Sequence, residues 1–393
     1  MKVAIWLEQS EGGGVDTHLR TLLNNWPIGP DHVHIFTNSD NPSIGSYVRL
    51  GIACSVSVAP IRRNSSNGKP RFVLETLFLP IYVWVASVLA RRKLVKTGQF
   101  DALVAYQGCY PGSWATIGVL RAAKKLDIKK RMMLVHHQAA PRRPFLNTVE
   151  SILDRRVAAW ANSIVAVSNA TRSTLVYRRD FDLVVQPIRV IHNGLDRRVD
   201  VARGGFRSAF GLGEDWHVAA VVGRVELYKG HEELIRSISQ LPEGVRSKFL
   251  LLIVGSVSKE NEDYLRNLAL RLEVADHVRF CGYVAGDISA IITDIDLLIC
   301  ATQEFEGFGY TVLEAMSVGT PVIATDVGAI KEFCDERHGI IVRPGSVSEL
   351  SEAISSVFVD AAKTAERVNA AKLQAERFSG MKMANELYQE LQH

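Results

Sequence analysis

Glu306-Gly-Phe-Gly-Tyr-Thr-Val-Leu-Glu314 places two carboxylates eight residues apart, with a Gly-Phe-Gly turn directly after the first. An apolar run over 295–301 leads into the segment, and a helix is predicted from about 310 to 318. Strand, glycine turn and helix is the local geometry that turns backbone N–H groups towards an anion at a helix N-terminus. Glu306 then falls in the loop before the helix and Glu314 about one turn inside it. Two acceptors at different depths beside an anion site suit a ligand that carries both hydroxyls and phosphate, and a nucleotide sugar is such a ligand. Acidic residues near a helix start also serve simply to complement the macrodipole, so the meaning of the pair rests on the rest of the chain.

Three further places carry chemistry directly after a predicted strand. Gly12-Gly13-Gly14 follows the first strand and precedes a helical stretch over 15–25; glycines there let backbone approach a phosphate. The spacing is not Gly-x-Gly-x-x-Gly, so a dinucleotide fingerprint is not supported. His136-His137 ends the strand predicted at 132–136 and suits hydrogen bonding to a sugar or acid/base work. Gly223-Arg224 follows the strand at 218–222, and Lys229-Gly230 precedes a helix starting near His231. Arginine offers a bidentate fork and lysine a point charge, both suited to a diphosphate.

These places must be positioned by a scaffold, and the chain has the pattern of one. Short apolar runs at 3–7, 33–36, 102–105, 132–136, 163–167, 190–191, 218–222, 249–254, 278–280, 297–300 and 321–324 alternate with longer amphipathic stretches. That alternation predicts an α/β protein with parallel sheets covered by helices. With 393 residues, two doubly wound domains are expected. The break is placed near His192-Asn-Gly-Leu-Asp196, before the polar, glycine-rich 200–213. The net charge of +4 and 22% charged residues are too mild to argue for nucleic acid. Five scattered cysteines without a Cys-x-x-Cys argue against a disulfide framework or zinc site and for a reducing compartment. The first seven residues are too short for a signal peptide and are read as a strand.

Taken together these residues resemble the retaining glycosyltransferases of family 4, which have the GT-B fold: two Rossmann-like doubly wound domains facing across a cleft. The similarity lies in Gly13-Gly14-Val15, Val135-His136, Val165-Ala-Val-Ser168, Ile191-His-Asn-Gly-Leu-Asp196, Gly223-Arg224, Lys229-Gly230, the segment from Glu306 to Glu314, Gly319-Thr-Pro-Val322 and His338-Gly-Ile-Ile-Val342. It covers nearly the whole chain and is most specific in the C-terminal half. The resemblance implies an N-terminal acceptor-binding domain over 1–195, a donor-binding domain over 196–372 and a terminal helix over 373–393 that crosses back to the first domain. It implies that Arg224 and Lys229 neutralise the donor diphosphate, with Gly13 and Gly14 adding backbone contacts. Glu314 would hold the ribose hydroxyls. Glu306, with the segment Gly307, Phe308, Gly309, Tyr310 and Thr311, would hold the donor sugar, and His136 would contact it near the reacting centre. No metal and no cofactor are implied, because arginine and lysine take that electrostatic role; the donor substrate would be a UDP-sugar or GDP-sugar. The acceptor would be a glycan or lipid-linked molecule in cell-surface polysaccharide, lipopolysaccharide or glycolipid synthesis.

Some positions depart from the family's pattern. His136 is followed by His137-Gln138, so either histidine is a candidate. Tyr310 stands where an aliphatic residue is common. The loop 137–145, with Pro141, Arg142, Arg143 and Pro144, is read as suited to acceptor binding. Within the apolar stretch 72–90, broken by Glu75 and Pro80 and followed by Arg91-Arg92-Lys93, the cleaner run Leu77–Ala90 has only 14 residues, short of the ~20 of a membrane span. It is expected to be either a core helix or a peripheral membrane contact over 72–93, helped by Arg62, Arg63, Lys69 and Arg71, which would place the protein in the cytoplasm at the inner face of a membrane. Two Asp-x-Asp matches, Asp180-Phe-Asp182 and Asp294-Ile-Asp296, are read as chance, since neither ends a strand. The competing functions are a nucleotide-sugar epimerase and a non-catalytic nucleotide-sugar-binding subunit.

Overall fold

A computed structural model describes residues 1–9, 12–56, 78–181, 187–196, 205, 207, 211, 213, 215–284 and 288–392. The chain divides into two units, Met1–Asp196 with Gly380–His393, and Arg197–Ser379. The segment 373–393 therefore does not act as one piece. The helix Ala361–Ala375 lies in the second unit, and only the last helix, Gly380–Gln392, belongs to the first.

The first unit holds β1 (Val3–Trp6), β2 (Val33–Thr37), β3 (Ala53–Val56), β4 (Ala102–Gln107), β5 (Lys130–Val135), β6 (Ser163–Ala166) and β7 (Arg189–Val190) in one sheet of order β3-β2-β1-β4-β5-β6-β7. The second holds β8 (His217–Val222), β9 (Phe249–Val254), β10 (Val278–Gly282), β11 (Leu297–Cys300), β12 (Val322–Thr325) and β13 (Ile340–Val342) in the order β10-β9-β8-β11-β12-β13. The pairings within both sheets are parallel. Parallel strands covered on both faces read as apolar runs, and β9, Phe-Leu-Leu-Leu-Ile-Val, is buried throughout.

Each sheet reverses its strand order once, between β1 and β4 and between β8 and β11. At such a switch point the loops leaving neighbouring strands diverge and open a crevice at their carboxyl ends. Gly12–Gly14 and Gly108 follow β1 and β4; Arg224 and Ala301–Glu306 follow β8 and β11.

The apolar stretch expected over 72–90 is described from residue 78 onward, as the helix Leu79–Thr97. Residues 57–77, with Arg62, Arg63, Lys69 and Arg71, lie outside the described residues. One face of this helix, with Tyr82, Val83, Ala86, Ala90 and Leu94, is buried in the core. It packs on the helix Trp114–Lys125 at Gly118, where a Cβ would stand 2.8 Å from Ala86 Cβ and 2.9 Å from the Val83 carbonyl oxygen. The opposite face leaves Ile81 and Trp84 more than half exposed. Among the described residues no helix is long and apolar enough to cross a membrane.

Candidate functional site

In the second unit, the Glu306 loop joins β11 to the helix Tyr310–Val318. Gly309 makes the turn at φ +95°, and its missing side chain matters, because a Cβ would come 2.8 Å from Ile330 Cδ1. Phe308 stacks on Phe333 at 4.9 Å between ring centres and is buried. Its ring is core. Among the described residues no side chain caps the helix start at Gly309, and the first-turn N–H groups carry the positive end of the macrodipole. The Glu306 carbonyl accepts from Ala329 N–H at 2.9 Å, which pins the loop.

Lys229 and Glu306 meet across 77 residues of sequence: Lys229 Nζ donates to Glu306 Oε2 at 2.7 Å, and Thr302 Oγ1 donates to the same oxygen at 3.2 Å. The side chains are 23% and 17% exposed, so the pair is partly solvated and reachable. Burial, the largest single effect, pulls the lysine pKa down, but the Glu306 carboxylate together with Cys300 and Tyr228 outweighs it, and the net shift is upward. Lys229 therefore remains a cation. The two loops are tied by Gln303 N–H donating to the Tyr228 carbonyl at 2.7 Å. They press together at Gly230, where φ is +76° and a Cβ would fall 1.9 Å from the Ala301 carbonyl oxygen. His231, buried behind Lys229, donates from Nδ1 to the Glu226 carbonyl at 3.3 Å, and burial lowers its pKa to about 4.

Arg224 is exposed at the end of β8. Its neighbour Val225 continues as a bridge to Val257, with Val225 N–H donating to the Ser256 carbonyl at 2.9 Å. Tyr310 and Glu314 share one face of the helix, four residues apart, and Glu314 is 5% exposed. Thr311 lies between them in the first turn and is half-buried.

In the first unit, Gly13 and Gly14 are exposed at the start of the helix Gly14–Asn24. Gly13 has φ 172°, extended backbone that any residue adopts, and a Cβ there would meet nothing within 4 Å among the described residues. The fold alone does not require this glycine. Asp16 fastens the turn by accepting from Gly13 N–H at 3.2 Å, Ser43 Oγ at 2.8 Å and Tyr47 Oη at 3.3 Å. Burial raises the Asp16 pKa against these hydrogen bonds.

His136 follows β5 and is buried, while His137 is half-buried. Its N–H donates to the Gln107 carbonyl at 3.0 Å. Its ring lies 5.2 Å from Tyr106 in a stacked arrangement and 4.6 Å from His18 edge to face. Nε2 of His136 is buried without a hydrogen-bond partner among the described residues, a state that costs about 1–3 kcal/mol until something pairs with it. Burial lowers the His136 pKa to about 3, so the ring is neutral.

Arg142 and Arg143 are not offered to an acceptor. Arg142 pairs with Asp154 at 2.9 Å and Asp180 at 2.7 Å, Arg143 with Glu150 at 2.6 Å, and the fully buried Arg179 with Glu150 at 2.7 Å. Tyr110 Oη adds a 2.7 Å hydrogen bond to Asp154. Buried carboxylates need such partners, and the two arginines supply them from the loop. The Asp-x-Asp at Asp294-Ile-Asp296 is structural, since Asp296 Oδ2 accepts from Val218 N–H at 2.8 Å and Arg207 Nη1 at 2.9 Å. Asp182 lies outside the described residues. Among the described residues no cluster of three metal-ligating side chains occurs.

Thr302 and His18 were not singled out from sequence. Thr302 sits two residues past β11, a position where ligand-facing residues are expected. His18 shares the buried helix face of Leu19 and Leu22, an unusual place for a histidine.

Comparison with known proteins agrees with this geometry. Residues 12–199 match the family described as Glycosyltransferase Family 4, and residues 205–374 match Glycosyl transferases group 1. The chain is 31% identical over 188 residues to a glycosyltransferase of Methanocaldococcus jannaschii, covering 46% of this chain and 47% of that protein. It is 33% identical over 180 residues to D-inositol 3-phosphate glycosyltransferase of Mycobacteroides abscessus, covering 44% and 39%. A third relative, the GDP-mannose-dependent alpha-(1-6)-phosphatidylinositol monomannoside mannosyltransferase of Mycobacterium tuberculosis, is 27% identical over 261 residues, covering 63% and 66%. The chain thus spans about half the length of the first two curated relatives. In fold it is similar to Anabaena HepE, solved with UDP and glucose, with a TM-score of 0.77 at 19% identity over 100% of this chain and 99% of that one.

Proposed function

We propose, from the premise that the chain belongs to the family-4 glycosyltransferases of GT-B fold, that it moves a hexose-type sugar from a nucleoside diphosphate sugar to a glycan or lipid-linked acceptor, with retention at the anomeric carbon. The observation that carries this reading is the Lys229–Glu306 pair beside the uncapped start of the helix Tyr310–Val318.

Lys229 has three N–H donors and gives one to Glu306, which leaves two for a diphosphate. Arg224, exposed after β8, adds a fork suited to phosphate oxygens. Charge grows on the leaving phosphate as the glycosidic bond breaks, and cations already fixed in place stabilise it without reorganising. On this reading a protein cation does the work a metal does elsewhere. Glu306 has a second carboxylate oxygen for sugar hydroxyls, and Glu314 serves the ribose. In front-face attack the leaving phosphate helps to deprotonate the acceptor, so the chain's residues mainly orient and screen charge. The exposed Ile81 and Trp84, followed by exposed Arg91, Arg92 and Lys96 on the same helix, suit the surface of an anionic bilayer carrying the acceptor.

The test is to incubate the protein with UDP-glucose or GDP-mannose in chelator and follow nucleotide release and the sugar's anomeric configuration by NMR. Release that depends on Lys229, with an α-linked donor giving an α product, supports the reading. An epimerised donor without nucleotide release contradicts it.

A further inference from the structure

His18, Tyr106 and His136 form a buried group of rings that the scheme above does not use as a unit. His18 is 1% exposed, Tyr106 3% and His136 8%. Tyr106 Oη lies 3.3 Å from His18 Nδ1. The His18 ring meets the His136 ring edge to face at 4.6 Å with an interplanar angle of 78°, and Tyr106 stacks on His136 at 26°. His18 comes from the helix that starts at the Gly13 turn, so the group links that turn to the strand end carrying His136.

Three polar rings in one buried group need a reason, since apolar residues would pack there at lower desolvation cost. Part of the group is internally satisfied through the contact between Tyr106 and His18. The unsatisfied atom is His136 Nε2, buried and without a partner among the described residues. A ring nitrogen left in that state is poised for a ligand, and its usefulness depends on the ring not rotating.

We propose that His18 is a positioning residue: held by Tyr106, it locks the His136 ring edge to face so that Nε2 is presented to a hydroxyl of the transferred sugar. This rests on the glycosyltransferase reading and adds to it the residue that orients the sugar contact. Burial lowers the pKa of both histidines, and the nearby His136 further disfavours a proton on His18, so the contact is made by a neutral ring. A neutral imidazole discriminates by hydrogen-bond direction, which makes orientation its main asset.

The experiment is calorimetric titration of the full chain with UDP, UDP-glucose, GDP and GDP-mannose. The readout is the ratio of affinities with and without the sugar for the nucleotide that binds. The variants are His18→Phe, His18→Asn, Tyr106→Phe, His136→Phe and the His18→Phe/His136→Phe double variant. His18→Phe keeps the ring volume, and Tyr106→Phe keeps the stack, so the fold is spared. The expected result is nucleotide affinity within about twofold of wild type, with the sugar increment reduced about tenfold in His18→Phe. Tyr106→Phe should show a smaller loss and His18→Asn a partial rescue, because its amide can still meet Tyr106 Oη. The double variant should be no worse than His136→Phe alone. A normal sugar increment in His18→Phe, or losses that simply add in the double variant, overturns the positioning role while leaving the glycosyltransferase reading intact. Failure of wild type to bind any of the four ligands overturns both.

Discussion

Replacing Lys229 by methionine removes the charge and keeps most of the stem. At 2.7 Å and an effective dielectric of about 20, the gross attraction to Glu306 is about 6 kcal/mol. Desolvation and competing water offset most of it, because both side chains are about one-fifth exposed. The net value expected for such a charge-assisted hydrogen bond is about 1.5–3 kcal/mol, which urea denaturation of the single variants and of the Lys229→Met/Glu306→Gln double variant will read. Glu306→Gln should cost less than Lys229→Met, since Thr302 can still donate to the amide oxygen. The double variant should be more stable than the sum of the singles by about 1–2 kcal/mol. Turnover should behave differently. Lys229→Met should lose roughly 10²–10³ in kcat, as removal of a fixed transition-state donor does, and Glu306→Gln in the double variant should restore none of it. Turnover within threefold of wild type in Lys229→Met, or recovered in the double variant, would refute the reasoning, because the pair would then be structural.

Gly13→Ala should leave stability within about 0.5 kcal/mol, since its Cβ meets nothing, yet weaken donor binding; Gly309→Ala should cost about 1–3 kcal/mol through its positive φ and the contact with Ile330. Denaturation curves and donor titrations of the two variants separate these effects. His136 and His231 have folded pKa values of about 3 and about 4, below the unfolded value near 6.5. The unfolded chain therefore binds the extra protons, and stability present above pH 6.5 is lost as pH falls towards those values, by about 2 kcal/mol per histidine at pH 5. A pH series of urea midpoints should show this loss, and His231→Leu should flatten it. Trp84→Glu with Arg91→Glu should reduce co-sedimentation with vesicles containing phosphatidylserine while leaving donor hydrolysis unchanged; equal vesicle binding would remove the membrane contact.

Much of the scaffold was legible because buried parallel strands are written as short apolar runs. β9 and β11 were located to the residue on that basis. β3 and β13 escaped for a physical reason. Both are edge strands, and β3, Ala-Cys-Ser-Val, is half exposed and carries no apolar run, while β13 spans only three residues. The helix Tyr310–Val318 was legible from its glycine boundaries, Gly309 and Gly319, which are both left-handed in the structure. The contact between Lys229 and Glu306 was not written in spacing, since it depends on which strands of the sheet are neighbours. His18 was overlooked because a single histidine on an apolar helix face gives no sign of what lies opposite. Arg142 and Arg143 misled because their partners, Asp154 and Glu150, belong to a helix whose packing against the loop the sequence does not announce.

The diphosphate site proposed at Arg224 and Lys229 should bind nucleotide without a metal. The measurement that tests it is a melting-temperature titration with UDP, GDP and ADP in the presence of chelator, on wild type and on Arg224→Ala/Lys229→Met. At a hundredfold excess over Kd, binding stabilises the folded form by about 2.7 kcal/mol, which corresponds to roughly 5–10 °C for a unit of this size. A shift of that order is expected for one nucleotide in wild type and none in the double variant. No shift with any nucleotide, or an equal shift in the variant, contradicts it.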